Sequence, residues 1–171
     1  MVRKAFNHII NFFWTALAFY PVIHYWYSAR VDRWFIMGIS ISVVIAFLPQ
    51  KFYSLLQLSD SRFFYEKLGV KTVRKFVQNG DLAKKMSGDK NYAVIDSIVD
   101  AKKYLLTIEM YSRFHWLCFL FFLLSTIHTF SNSRILIGLL ILLVNIMYNV
   151  TAILLQQYNK IRIQNLLRKH K

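Results

Sequence analysis

Between Ile135 and Leu155 the chain reads ILIGLLILLVNIMYNVTAILL, without a single charged residue. A helix needs about 20 mainly apolar residues to cross the hydrocarbon core of a bilayer, whereas buried helices of soluble domains suit runs of about 10–14. Three further stretches have the same character: Ala5 to Ser28, Trp34 to Pro49 and Phe114 to Phe130. The second and third are short, and the flanking aromatics Trp34, Phe35, Phe52 and Tyr53 extend them into the interface. The predicted fold is an all-α integral membrane protein, with four transmembrane helices plus cytoplasmic amphipathic or interfacial helices. Its domain organisation is a single membrane domain over 1–171, with spans near 5–28, 34–49, 114–130 and 135–155, a cytoplasmic segment 50–112 and a basic C-terminal helix 158–171.

Charge supplies the topology. The chain carries 22 Lys and Arg against 8 Asp and Glu, a formal net charge of +14. If the N-terminus is cytoplasmic, nineteen of these cations fall on inner segments and only Arg30, Arg33 and Arg134 on outer loops. This positive-inside bias predicts a multi-pass protein of the bacterial cytoplasmic membrane with both termini cytoplasmic. Arg3 and Lys4 before an apolar run resemble a signal peptide. The run is too long and aromatic for an h-region, however, and Ser28-Ala29 is a poor cleavage match. It reads as a retained first span. The basic residues scatter beside membrane ends without a nucleic-acid motif, so anionic lipids or substrates are the expected partners, not nucleic acid. A lone cysteine, Cys118, excludes a disulfide framework and a cysteine-based zinc site.

From Lys51 to Ser112 the chain is polar, and its apolar residues recur at helical spacing. Phe63, Phe64, Leu68, Val70, Val73, Phe76 and Val77 alternate with Lys and Arg, which suits a helix lying in the interface. Asn79-Gly80-Asp81 and Ser87-Gly88-Asp89 signal turns. From Asp89 to Ile137 there is no Gly or Pro, which predicts one long helix running into the third span, capped by Asp89 or Asn91.

Polar groups within the spans are costly unless partnered, so their pattern is informative. Asn145, Asn149, Gln156 and Asn159 fall on one helical stripe of the fourth span and its continuation, with Tyr148, Thr151, Tyr158 and Arg162 beside it. Two readings are open: hydrogen bonds that join helices, or a polar cleft opening to the cytoplasm. At the base of the third span Glu109 and Arg113 stand i, i+4 and can form an ordinary helix ion pair. His115 sits at the boundary, where a neutral imidazole can take up a proton. His8, Asn11 and Thr15 add polar groups to the inner half of the first span, while His24 and His128 are expected at outer interfaces. No metal-ligand spacing such as His-x-x-x-His, phosphate loop or G-x-S-x-G elbow occurs.

The succession Tyr65-Glu66-Lys67-x-Gly69, a basic stretch to Asn79-Gly80-Asp81, Glu109-x5-His115-Trp116, Asn149, and Gln157-Tyr158-Asn159-x-x-Arg162 resembles the glycosyl-4,4'-diaponeurosporenoate acyltransferase family. The resemblance covers roughly residues 50 to 168. It implies transfer of a fatty acyl chain to a sugar hydroxyl of a glycosylated C30 carotenoid or another lipid-like acceptor. It also implies His115 as base, Glu109 as its orienting partner, and Asn149, Gln157, Tyr158 and Asn159 as acceptor or oxyanion ligands. Arg162, with Lys160, would hold an anionic acyl donor. No cofactor is implied beyond an acyl thioester as co-substrate. The chain departs from the family pattern where Gln157, Lys160 and Ile161 stand for Arg, Arg and Pro. The alternative is a non-catalytic multi-pass protein whose basic cytoplasmic face binds a partner or anionic lipid. An enzyme requires the polar residues to converge on one cleft; a scaffold leaves them separately paired.

Overall fold

The computed structural model describes residues 2–77 and 98–169. The turn signals at 79–81 and 87–89 and the cap at Asp89 or Asn91 lie outside these residues. Among the described residues every regular element is helical. They are α1 (Val2–Ala29), α2 (Arg33–Ala46), α3 (Gln50–Leu55), α4 (Arg62–Lys67), α5 (Val70–Lys75), α6 (Ile98–Ser131), α7 (Ile135–Asn145), a π-helical turn (Ile146–Val150) and α8 (Thr151–Lys169).

Local chemistry sets several boundaries. Asp32 caps α2, its Oδ1 accepting from the Phe35 N–H at 3.0 Å. Pro49, in extended backbone, opens α3 and confines the preceding helix. Gly69 adopts φ +79°, the left-handed conformation that turns α4 into α5 at little cost only for glycine. A Cβ on Gly138 would overlap Phe130 and Thr129, so glycine lets the start of α7 fold back closely onto the end of α6.

At 34 residues α6 is the spine. It packs against α2 on one side and against α7 and α8 on the other, while α1 lies along α7. The amphipathic stretch before 114 and the apolar run after it therefore form one rod. One apolar core joins Val22, Tyr25, Trp26, Phe122 and Ile141. A second joins Tyr65 and Val70 to Leu155, Tyr158 and Ile161. Thus the segment expected wholly in the interface is partly tied to α8, although Phe63, Leu68 and Phe76 stay exposed. The basic C-terminal helix expected over 158–171 is not a separate element. It is the continuation of the rod that begins at Ile135, and it packs on α4, α5 and α6.

Two rods, Ile98–Ser131 and Ile135–Arg168, are long and apolar enough to cross a membrane. Only 33% and 22% of their most apolar windows is buried within the protein, unlike the core helix of a soluble domain. At 14 residues α2 is about 21 Å long, shorter than a hydrocarbon core of about 30 Å.

Candidate active site

A cleft of about 1440 Å³ opens between the first half of α1, the α4–α5 corner, the first half of α6, the π-turn and α8. His115 of α6 lines it. So do Asn11 and Thr15 of α1, Tyr148 of the π-turn, and Gln156, Asn159 and Arg162 of α8. The polar stripe read from the sequence divides between two surroundings. Its first half joins helices and its second half faces the cleft.

The joining half is directional. The Phe119 carbonyl can only accept a hydrogen bond, so Asn145 presents Nδ2 to it, at 3.1 Å. Asn145 Oδ1 then accepts from Asn149 Nδ2 at 2.9 Å. Asn149 is left with Oδ1 toward His115 Nδ1, 3.2 Å away. A carbonyl oxygen accepts, so Nδ1 carries the proton and Nε2 keeps its lone pair. Asn145 and Asn149 are 1% and 0% exposed, which keeps water from competing for this relay. Among the described residues Nε2 makes no hydrogen bond.

The π-turn shapes the same spot. Such turns are rare and concentrate at functional sites. Here the extra residue falls between Asn145 and Asn149 and places Tyr148 against the imidazole, ring centroids 5.2 Å apart. The Tyr148 hydroxyl meets Thr15 Oγ1 at 3.0 Å, tying α1 to the site. Trp14 Nε1 donates to the Phe76 carbonyl at 3.1 Å, closing α1 onto the end of α5.

Other expected residues are placed differently. Glu109 is half-buried on α6 but does not line the cleft, and among the described residues it has no hydrogen bond or ion pair. Six residues before His115 it is about a third of a turn away around the helix. The hydrogen-bond partner that the structure gives His115 is Asn149. Arg113 does not pair with Glu109. Its Nη1 donates to the carbonyls of Ala46 at 2.9 Å and Leu48 at 2.7 Å, and its guanidinium rests on the Tyr53 ring. It satisfies the open carbonyl end of α2.

Gln157 is buried and faces the α3–α4 connection. Its Nε2 donates to the Leu56 carbonyl at 3.0 Å, and its Oε1 accepts from the Leu58 N–H and from the Tyr65 hydroxyl. Tyr158 donates to Glu66 Oε1 at 3.2 Å. Neither side chain lines the cleft, because both point to the side of α8 that packs on α4. Lys160 is half-buried and also lies outside the lining. Arg162 rests on the Tyr158 ring, 5.6 Å from its centroid.

Glu66 is a structural junction that the sequence did not single out beyond its motif. Lys71 Nζ, 2.8 Å away, holds its carboxyl below the usual carboxylate range, with help from the Tyr158 hydroxyl. Tyr104 and Tyr111 also line the cleft, eleven and four residues before His115 on α6. That i, i+7, i+11 spacing was legible as a single helix face. Burial raises the Tyr104 pKa, so its hydroxyl stays protonated and able to donate. Among the described residues no cluster of three or more His, Cys, Asp and Glu gathers as metal ligands.

A family model described as glycosyl-4,4'-diaponeurosporenoate acyltransferase matches residues 49–169. The chain belongs to this family. The match runs from the entry to α3 through the end of α8. It takes in the whole His115–Asn149–Asn145 relay and every wall of the cleft except α1. No curated protein and no solved structure matches the chain.

Proposed function

We propose that the protein is a membrane acyltransferase that moves a fatty acyl chain onto a hydroxyl of a glycosylated or lipid-like acceptor. A glycosyl carotenoid of the kind the family's description names is the first candidate acceptor. The observation that carries this reading is His115, with one nitrogen fixed by a buried relay and the other, which makes no hydrogen bond among the described residues, beside a large cleft. That is what a general base for a hydroxyl requires.

In the proposed reaction the acceptor hydroxyl approaches His115 Nε2. Its oxygen attacks the acyl carbonyl while Nε2 takes its proton. The C–O bond forms, and the carbonyl π electrons move to oxygen. Neutral donors on the cleft wall, Thr15, Tyr148 and Asn159, are suited to receive that oxyanion. Collapse breaks the bond to the donor's leaving group, which departs with the proton from the imidazolium. The relay through Asn149 holds Nδ1–H in place while Nε2 gains and returns the proton.

A bilayer supports this chemistry by covering the apolar surface that the protein leaves bare. Tyr27, Leu136, Val44 and Phe12 are 88%, 84%, 63% and 76% exposed. In the proposed topology all four apolar stretches enter the membrane, both termini are cytoplasmic, and the cleft opens at the inner leaflet. The short α2 enters with local thinning of the bilayer and its aromatic flanks at the interface.

The test is acyl-lipid mass spectrometry of cells or membranes supplied with a glycosyl carotenoid and an acyl thioester. Wild type should convert the glycoside to its acyl ester, and His115→Ala should not, while still fractionating with membranes. Undiminished conversion by His115→Ala would leave only a lipid- or partner-binding membrane protein.

A further inference from the structure

The wall of the cleft that lies outside the family match is α1, and its two halves are built differently. In the outer half Ala18, Val22, Tyr25 and Trp26 are buried in one core with Phe122 and Ile141. None of the side chains from His8 to Leu17 is fully buried, and Ile9, Phe12, Phe13 and Leu17 are exposed. Ile10, Asn11, Trp14 and Thr15 line the cleft from this inner half. Burial of apolar surface fixes the outer half, and the inner half has little of it to resist displacement.

The halves meet near Pro21, which stands inside the helix and is buried. Proline has no N–H to give the Leu17 carbonyl, and its ring crowds that carbonyl, so a helix bends more readily there than elsewhere. On the inner side of this point two hydrogen bonds draw α1 onto the site. Trp14 Nε1 donates to the Phe76 carbonyl at 3.1 Å, and Thr15 Oγ1 lies 3.0 Å from the Tyr148 hydroxyl. Asn7 and Asn11, on the same helical face, also have partners. Contacts of this kind are individually weak beside a packed core, and they can break and re-form.

The rim of the cleft is apolar at the level of His115. Met110 and Phe114 of α6 and Met147 of the π-turn line the cleft and are exposed as well, so they stand at its mouth. Phe114 and Met147 directly precede His115 and Tyr148, which sets this mouth level with the imidazole. Polar lining lies further along the same rods, at Thr107, about 12 Å from His115 on α6, and at Asn159 and Asn165 on α8. A mouth edged by Phe and Met is unfavourable to hydrate and adapts well to hydrocarbon. A substrate's reacting end therefore reaches His115 most directly from the lipid side, with its chain lying in the mouth.

We propose that the inner half of α1 is a side gate of the cleft, hinged at Pro21 and latched by Trp14 and Thr15, which admits the acceptor sideways from the inner leaflet and closes once its hydroxyl is at His115. This rests on the acyltransferase reading. The occupant is an acceptor with a neutral hydroxyl-bearing head on a long hydrocarbon chain, and the chain extends through the mouth into the bilayer. Closure excludes water from the transfer and brings Thr15 to the Tyr148 hydroxyl, which completes the donors placed for the oxyanion. Trp14 is a positioning residue, acting through the closed state of α1.

The experiment uses the full-length protein in phosphatidylcholine nanodiscs and reads distances between paired nitroxide labels by electron resonance. Phe13→Cys with Leu106→Cys reports on the inner half of α1, and Tyr27→Cys with Leu136→Cys on the outer half; all four positions are exposed, and the native Cys118 is buried. The inner pair should show two populations and the outer pair one. Hexadecyl β-glucoside, the membrane-resident probe, should move the inner pair roughly fivefold or more toward one population, the closed one. Methyl β-glucoside, which has the same head without the chain, should leave it unmoved. Trp14→Phe should deplete that same population, and Pro21→Ala should merge the two, with the outer pair unchanged as the control for folding. A single narrow inner distribution that hexadecyl β-glucoside does not move overturns the gate without recourse to any variant. An equal response to methyl β-glucoside overturns the part assigned to the chain, and unchanged populations in Trp14→Phe overturn the latch. His115→Ala should respond to the probes as wild type does. A silent inner pair therefore counts against the gate alone, and wild-type transfer by His115→Ala counts against the reaction alone.

Discussion

α6 carries two shielded histidines thirteen residues apart, and their surroundings differ in one decisive way. His128, near the outer end, has both nitrogens engaged. Nδ1 lies 2.7 Å from the Tyr25 hydroxyl, and Nε2 lies 3.3 Å from Asp32 Oδ2. Its ring stacks on Trp26 at 4.8 Å, and Trp26 in turn donates to Ser125. It is 8% exposed, packed among the helices. His115 has one nitrogen engaged and the other beside a cleft. Saturated partners make a histidine a joint between helices; an unused nitrogen beside space makes it available for chemistry.

The widest separation of the two regions should come from replacing the histidines. His115→Gln should lower acyl transfer by about 10²–10⁴-fold, the usual worth of a general base, with little change in unfolding temperature. His128→Ala should instead cost on the order of 2–3 kcal/mol of stability through its orphaned partners, with transfer per folded molecule retained. Mass spectrometry of product and thermal unfolding in detergent read the two effects, and similar losses of activity from both would erase the distinction.

The relay gives the next effect. Asn149→Ala removes the acceptor that fixes Nδ1–H and should lower transfer by roughly 10²-fold through misorientation. Asn149→Asp, which keeps an acceptor oxygen, should lose less. Asn145→Ala, one step back, should act in the same direction as Asn149→Ala and more weakly. If Asn145→Ala proves the most damaging of the three, the relay does not run toward His115.

Glu66 offers a pH-dependent test outside the membrane-spanning segments. Its folded pKa is depressed, chiefly by Lys71. Its stabilisation is therefore complete above the ordinary carboxylate range and is lost as pH falls through the lowered folded value. Unfolding temperature should drop on acidification below the usual titration of glutamate, and Glu66→Gln should flatten that part of the profile. An unchanged profile in Glu66→Gln would remove the junction between α4 and α8.

The smallest effect is expected at Glu109. Glu109→Gln should keep transfer within a few-fold of wild type, because the carboxylate neither lines the cleft nor touches His115. A loss comparable to that of His115→Gln would return Glu109 to the role its place in the family motif implies.

The sequence made the helices and much of the site legible, for local reasons. Absence of Gly and Pro set out α6, and the uncharged apolar run from Ile135 set out the span it opens. Helical phase alone put Gln156 and Asn159 beside Asn149, and both line the cleft. Motif membership was a poorer guide than phase for Gln157 and Tyr158, which share the motif but face α4. What escaped was long-range. Arg113 finds carbonyls 65 and 67 residues away, and Tyr25 finds His128 at a separation of 103. Local periodicity carries no record of such partners. The π-turn was equally hidden, since Ile146–Val150 contains neither Gly nor Pro to announce it.

The most direct test of His115 as the base is chemical rescue. Replacing it with alanine leaves an imidazole-sized space beside the cleft, which can admit free imidazole from solution. Purified His115→Ala protein should be inactive, and added imidazole should restore measurable acyl transfer in proportion to its unprotonated fraction. An alanine variant that transfers the acyl chain at the wild-type rate without imidazole would contradict the assignment.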